Sequence, residues 1–127
     1  MPRFDRAAVT AVGGRVGHHG ETGWTPMRIA VADVGRAFGR QTRAYAEYRI
    51  FSTLARFSAV VREANVELLA LPRERHAARC RVILSVEGGR RLCVSARGRH
   101  AYDAVNKAAR RVGDVVKRRA LVTSGMR

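Results

Sequence analysis

The sequence predicts an α+β fold: one four-stranded sheet with two helices packed on one of its faces, in the order β-α-β-β-β-α. Three observations carry the prediction. Four segments alternate apolar and polar residues with the period of a strand. Two of them flank the glycine turn "EGGR". The remaining periodic stretches repeat at helical spacing, and the last is apolar on one side and basic on the other.

The first strand is "MRIAVADV", Met27 to Val34, ended by Gly35 and Gly39. Thr42 is expected to cap a helix running to about Phe57, in which Ala44, Tyr48, Phe51 and Ala55, with Leu54 alongside, form the stripe facing the core. Arg49 and Arg56 lie seven residues apart and share a face of that helix. The second strand runs from Val60 to Leu71, with Ala64, Val66, Leu68 and Ala70 on one side, and Pro72 ends it.

Parity sets the register of the hairpin that follows. Cys80, Val82, Leu84 and Val86 share one side of the third strand, and Leu92, Val94 and Ala96 share one side of the fourth. Both sets reach the same sheet face only if opposed residue numbers sum to an even number, as Val86 and Arg90 do. That requires an odd-length loop centred near Gly88 or Gly89, whereas a two-residue Gly-Gly turn would scramble the faces. Cys80 then points to the core and Cys93 outward, which disfavours an intramolecular disulfide. The opposite face carries Arg79 and Arg81, candidates for contact with an anionic partner or for a solvated surface.

The last helix spans about His100 to Arg119. Ala101, Val105, Ala108, Val112 and Val115 form its apolar stripe, widened by Tyr102, Ala109 and Val116. Lys107, Arg110, Arg111, Lys117, Arg118 and Arg119 occupy the rest. Gly113 and Asp114 stand out within it. Glycine lowers helix propensity by about 1 kcal/mol relative to alanine, which a close approach to the sheet or to a ligand would explain. Asp114 is expected to pair with Arg110 or Arg118 at i,i+4 spacing.

Composition bounds the function. The 127 residues suit a single domain. A formal charge of +15, from 25 Lys and Arg against 10 Asp and Glu, points to a polyanionic partner. Arginine's planar fork favours nucleic acid over an anionic membrane. No run approaches a membrane span, and the first 26 residues lack the apolar centre of a secretory signal, so a cytoplasmic protein is expected. Those residues hold five of the twelve glycines and show no regular period, so a flexible tail is expected over 1–26. They contribute only +1, from three Arg against one Asp and one Glu, leaving +14 on the remainder. The domain is expected over 27–121, with a short tail over 122–127. His18 and His19 have no further ligands at recognisable spacing, and Cys80 and Cys93 match no zinc pattern; no metal site and no cofactor are expected.

The segment "CRVILSVEGGRRLCVSARGRHAYDAVNKAARRVGDVVKRR" resembles the ribosome hibernation promoting factor and ribosome-associated inhibitor family, in the short form and an alanine-rich branch. Members carry a strand-turn-strand leading into a helix of the form D-x-Y-x-A-I-[ND]. Tyr102, Ala104, Val105 and Asn106 occupy those positions, and His100 stands where an acid is usual. "AYAEYRIFSTLARF" and "VREANVELL" fit the family's first helix and second strand. The resemblance spans roughly Met27 to Arg119, and residues 1–26 are read as a lineage-specific tail or a start assigned too early.

What the resemblance implies is a non-enzymatic protein that binds the small ribosomal subunit in the channel used by mRNA and tRNA. It would block translation and preserve idle ribosomes under stress or in stationary phase. Contacts would go to rRNA backbone from basic residues of the two helices. By position, Arg111 and Arg118 match family basic positions, while Asp114 stands where many members are basic. Charge and helical placement add Arg49, Arg56, Lys107, Arg110, Lys117 and Arg119. No membrane or small-molecule partner is implied, and the protein is expected to be monomeric off the ribosome. Long members carry a further domain that dimerises ribosomes; by resemblance this chain is expected to act as a short form that does not dimerise ribosomes unaided.

Three other readings compete. A general double-stranded RNA binder shares the basic character, but its common fold is α-β-β-β-α, without the first strand. A small nuclease would use His76 or His100 with Asp103 or Glu87, without a recognisable catalytic pattern around them. A membrane-surface helix over 103–119 would need apolar anchors, and its apolar side is mostly Ala and Val.

Overall fold

The computed structural model describes residues 9–12, 27–73 and 77–125. Its elements are β1 (Val9–Val12), β2 (Met27–Val34), α1 (Arg40–Leu54) with a 3-10 turn (Ala55–Phe57), β3 (Val61–Leu71), β4 (Ala77–Val86), β5 (Arg91–Gly98) and α2 (Ala101–Gly125). The four expected strands form one sheet in sequence order, β2 parallel to β3 and the rest antiparallel. Both helices pack on one face, α1 against β2 and β3, α2 against β4 and β5.

Two boundaries differ from expectation. Val9–Val12, placed in a tail by the sequence reading, pairs antiparallel with β2 and adds a fifth strand at that edge. Four residues carry too little period to be read as a strand until an edge is there to receive them. The last helix continues through Gly125, beyond the expected end near Arg119.

The hairpin obeys the parity argument. Ser85 faces Arg91, Leu84 faces Leu92 and Cys80 faces Ala96. The loop Glu87-Gly88-Gly89 closes where the Val86 N–H meets the Arg90 carbonyl at 2.9 Å. Cys80, Val82, Leu84, Val94 and Ala96 are buried in the core. Cys80 is free and buried, Cys93 free and exposed.

Helix α1 is turned differently from the sequence reading. Its buried residues are Thr42, Ala46, Ile50 and Leu54, spaced four apart. Ala44 and Ala55 are exposed and Tyr48 is 65% exposed, while Phe51 is only partly buried against the core. Apolar residues occur all around this helix, so period alone cannot choose the buried side; the sheet and α2 do. Nor does Thr42 cap it. The helix starts at Arg40, and the Asp33 carboxylate accepts the N–H groups of Ala37, Phe38 and Gly39 at 2.7–3.2 Å, organising the entry from β2. Here Asp33 supplies the acceptor that a cap would, from the end of the preceding strand.

At the other junction, Gly98 joins β5 to α2. A Cβ there would overlap the Ala104 backbone nitrogen and lie 2.8 Å from Ala104 Cα. Only glycine lets strand and helix approach this closely. The α2 stripe is buried as expected through Ala101, Val105, Ala108, Ala109, Val112 and Val116, joined by Ala104. This apolar side lies against the sheet, with Val115 only partly buried and Tyr102 exposed. No helix among the described residues is long and apolar enough to cross a membrane.

Candidate nucleic-acid interface

Where α1 and α2 run beside one another, both present residues four apart to the seam: Tyr45 and Arg49 from α1, Tyr102 and Asn106 from α2. Asn106 joins them. Its Oδ1 accepts the Tyr45 hydroxyl at 2.6 Å and Arg49 Nε at 3.0 Å. Arg49 Nη1 also donates to Thr53 Oγ1 at 2.9 Å, and that hydroxyl donates to the Arg49 carbonyl at 3.0 Å. A half-buried guanidinium is therefore held at two points before any ligand arrives, and one of its acceptors, Thr53, is itself anchored to the helix backbone.

On one side of this bridge, the Tyr45 and Tyr102 rings meet edge-on with centroids 4.7 Å apart, and Tyr102 is 40% exposed. On the other side the seam widens into a cleft of about 560 Å³, lined by Arg49, Thr53 and Arg56 from the α1 side and by Arg110, Gly113 and Asp114 from α2. The Arg56 guanidinium lies 5.3 Å from the Phe57 ring centroid, a cation–π contact that leaves its N–H edges free to donate.

The expected basic residues thus divide. Arg49, Arg56 and Arg110 converge on the cleft. Lys107 instead pairs with Asp103 at 3.3 Å. Arg111 is exposed and donates to the Ser95 carbonyl of β5, covering a backbone acceptor at the sheet edge. Lys117 and Arg118 are exposed and Arg119 half-exposed toward the helix end. Arg118 follows Arg111 by two turns, on the same side of α2. On the sheet face away from the helices, Arg81 pairs with Glu67 at 3.6 Å.

Asp114 does not pair as the sequence reading expected. It is exposed, and no residue among those described forms an ion pair with it, although Arg110 and Arg118 stand four residues to either side. The structure also supplies the reason for Gly113. A Cβ there would stand 3.1 Å from the Thr53 methyl, so the close approach is to α1 rather than to the sheet.

The start of α2 accounts for His100 and Asp103. His100 Nδ1 accepts the Asp103 N–H at 3.2 Å, and Asp103 Oδ2 accepts the Arg99 N–H at 2.9 Å, a reciprocal cap of the first turn. The Arg99 N–H, then Lys107, hold the Asp103 carboxyl below its ordinary 3.8. Of the four residues proposed for acid–base chemistry, His100 and Asp103 are thus engaged in closing a helix end, Glu87 is exposed in the hairpin turn, and His76 lies outside the described residues.

Sequence reasoning missed the Tyr45–Asn106–Arg49 bridge as a unit. The signal available was a pair of polar or aromatic residues four apart on each helix, at 45 and 49 and at 102 and 106. Nothing local says that the two pairs face each other.

No family model matches the chain, and no curated protein matches it by sequence. Among solved structures it is similar to the N-terminal domain of Protein Y from Thermus thermophilus, at 25% identity and a TM-score of 0.50. The match covers 60% of this chain and 79% of that one.

Proposed function

We infer that this chain, belonging by sequence signature and fold to the ribosome hibernation promoting factor and ribosome-associated inhibitor family, is a ribosome-binding protein. It occupies the mRNA and tRNA channel of the small subunit, makes its contacts mainly to rRNA backbone, and keeps idle ribosomes out of translation under stress. The observation that carries the reading is the placement of arginines from both helices around one cleft on a chain of charge +15. Arg49 is fixed in advance by Asn106 and Thr53, so little side-chain entropy is lost when a phosphate docks there. Arg118, exposed, extends the same basic character along the C-terminal half of α2. Binding requires no chemistry: a rigid domain sets guanidinium groups against phosphates whose spacing folded rRNA dictates, and counterion release drives association.

The test is co-sedimentation of the full chain with purified small subunits across a salt series. With about six phosphates engaged, log K falls against log salt with a slope of about −4 to −5. Arg118→Ala lowers that slope in magnitude by about 1 with the fold unchanged. Salt-independent affinity, or equal affinity for a plain RNA duplex, overturns the reading.

A further inference from the structure

An acid in the wall of a phosphate-binding cleft is a cost unless something donates to it. Asp114 lines the same cavity as Arg49, Arg56 and Arg110, yet pairs with no described residue. Arg49 spends its Nε and Nη1 on Asn106 and Thr53, whereas no described residue accepts a hydrogen bond from the guanidinium of Arg56 or Arg110. The cavity therefore presents two guanidinium groups with no donor engaged, a third, Arg49, with Nη2 unengaged, one carboxylate with free acceptors, and apolar wall from Ala55. Its volume is about 560 Å³, and Gly113 lines it without a side chain. A bare phosphate uses only the first of these features.

We propose that this cleft seats one unpaired guanine nucleotide of RNA, its phosphate on Arg56 and Arg110 and its Watson–Crick edge on the carboxylate of Asp114. The inference rests on the RNA-binding reading above and adds a base preference to it. Guanine alone offers two adjacent donors, N1–H and N2–H, matched to the two oxygens of a carboxylate. Adenine and cytosine offer one amino group beside a ring-nitrogen lone pair, which repels the second oxygen. Uracil offers a single N–H between two carbonyls. The acid that weakens a phosphate contact thus becomes the group that selects the base.

Fluorescence anisotropy of the full chain at low salt with the labelled RNA pentamers UUGUU, UUAUU, UUCUU and UUUUU tests this, with inosine replacing guanine as a fifth probe. The expected result is that UUGUU binds at least about fivefold tighter than the others, the low end for a bidentate base contact. Inosine, which lacks the N2 amino group, loses most of that preference. Asp114→Ala abolishes the preference without weakening UUUUU, and Asp114→Asn, with one acceptor and one donor, does not restore it. Equal binding of all pentamers by the native chain overturns the proposal, as does no binding of any while small subunits still bind. A preference that survives Asp114→Ala, or a uniform tightening of every pentamer from an already equal baseline, overturns it too. Failure to bind small subunits at all overturns instead the reading on which it rests.

Discussion

Gly113 of α2 lies against Thr53 of α1, so close that a Cβ at position 113 would meet the Thr53 methyl at 3.1 Å. That methyl cannot turn aside freely, because the Thr53 hydroxyl both donates to the Arg49 carbonyl and accepts from the Arg49 guanidinium. One glycine thereby allows the close approach of the two helices at this point.

The contact makes a coupling prediction. Gly113→Ala gains about 1 kcal/mol of helix propensity and loses a similar amount to crowding, leaving stability within about 0.5 kcal/mol of the native chain. In a Thr53→Ser background the methyl is gone, and the same substitution stabilises by about 1 kcal/mol. Urea denaturation of the four chains measures the cycle; strictly additive effects would show that the two residues do not press on each other.

Asn106 is the clamp between the helices. Asn106→Ala leaves the Tyr45 hydroxyl and the half-buried Arg49 guanidinium without their shared acceptor, at a cost of about 2 kcal/mol. For a domain of this size that is roughly a 10 °C fall in Tm. Asn106→Asp keeps an acceptor oxygen and stays near native stability. A thermal melt in which the alanine variant matches the native chain would mean the bridge contributes nothing net.

The helix cap predicts an acid limb. Asp103 is held below its ordinary 3.8, first by the Arg99 N–H and then by Lys107. A depressed carboxyl stabilises the fold fully above its unfolded value, and the contribution is lost as pH falls through the lower folded value. Asp103→Asn therefore flattens the decline in stability over that acidic interval, which denaturant titrations at successive pH values would display. An unchanged acid limb assigns it to other carboxylates.

The two thiols differ in reach. Burial pushes Cys80 up to about 12, whereas Cys93 is exposed on the opposite sheet face. A thiolate-directed reagent such as Ellman's is expected to modify one cysteine in the native chain and both in denaturant. Cys93→Ser removes the fast reaction. Two fast thiols in the native chain would contradict the hairpin register.

Much of this was legible in advance because it is local. The alternation of Cys80, Val82 and Leu84 with Leu92, Val94 and Ala96 leaves only one loop parity that buries both sets, and that is the observed register. Likewise the Ala-Val stripe of α2 names its own buried side. Helix α1 offered no such asymmetry, and the stripe through Ala44 and Tyr48 proved to be the exposed one. Of the cleft, Arg49, Arg56 and Arg110 were marked by charge, but the absence of a partner for Asp114 among the described residues was not, since i,i+4 spacing permits a pair without compelling it.

By itself the sequence determined which segments from Met27 onward are strands and which helices, the inward side of β3, β4, β5 and α2, and the basic character of the outer surface. These follow from periods of two and 3.6 residues and from charge, which the chain carries wherever it goes. Tertiary structure alone decided the rotation of α1, the edge pairing of Val9–Val12, the Asn106 clamp and the meeting of Gly113 with Thr53. Each of those depends on a partner far away in the chain, whose position is settled only when the whole core packs.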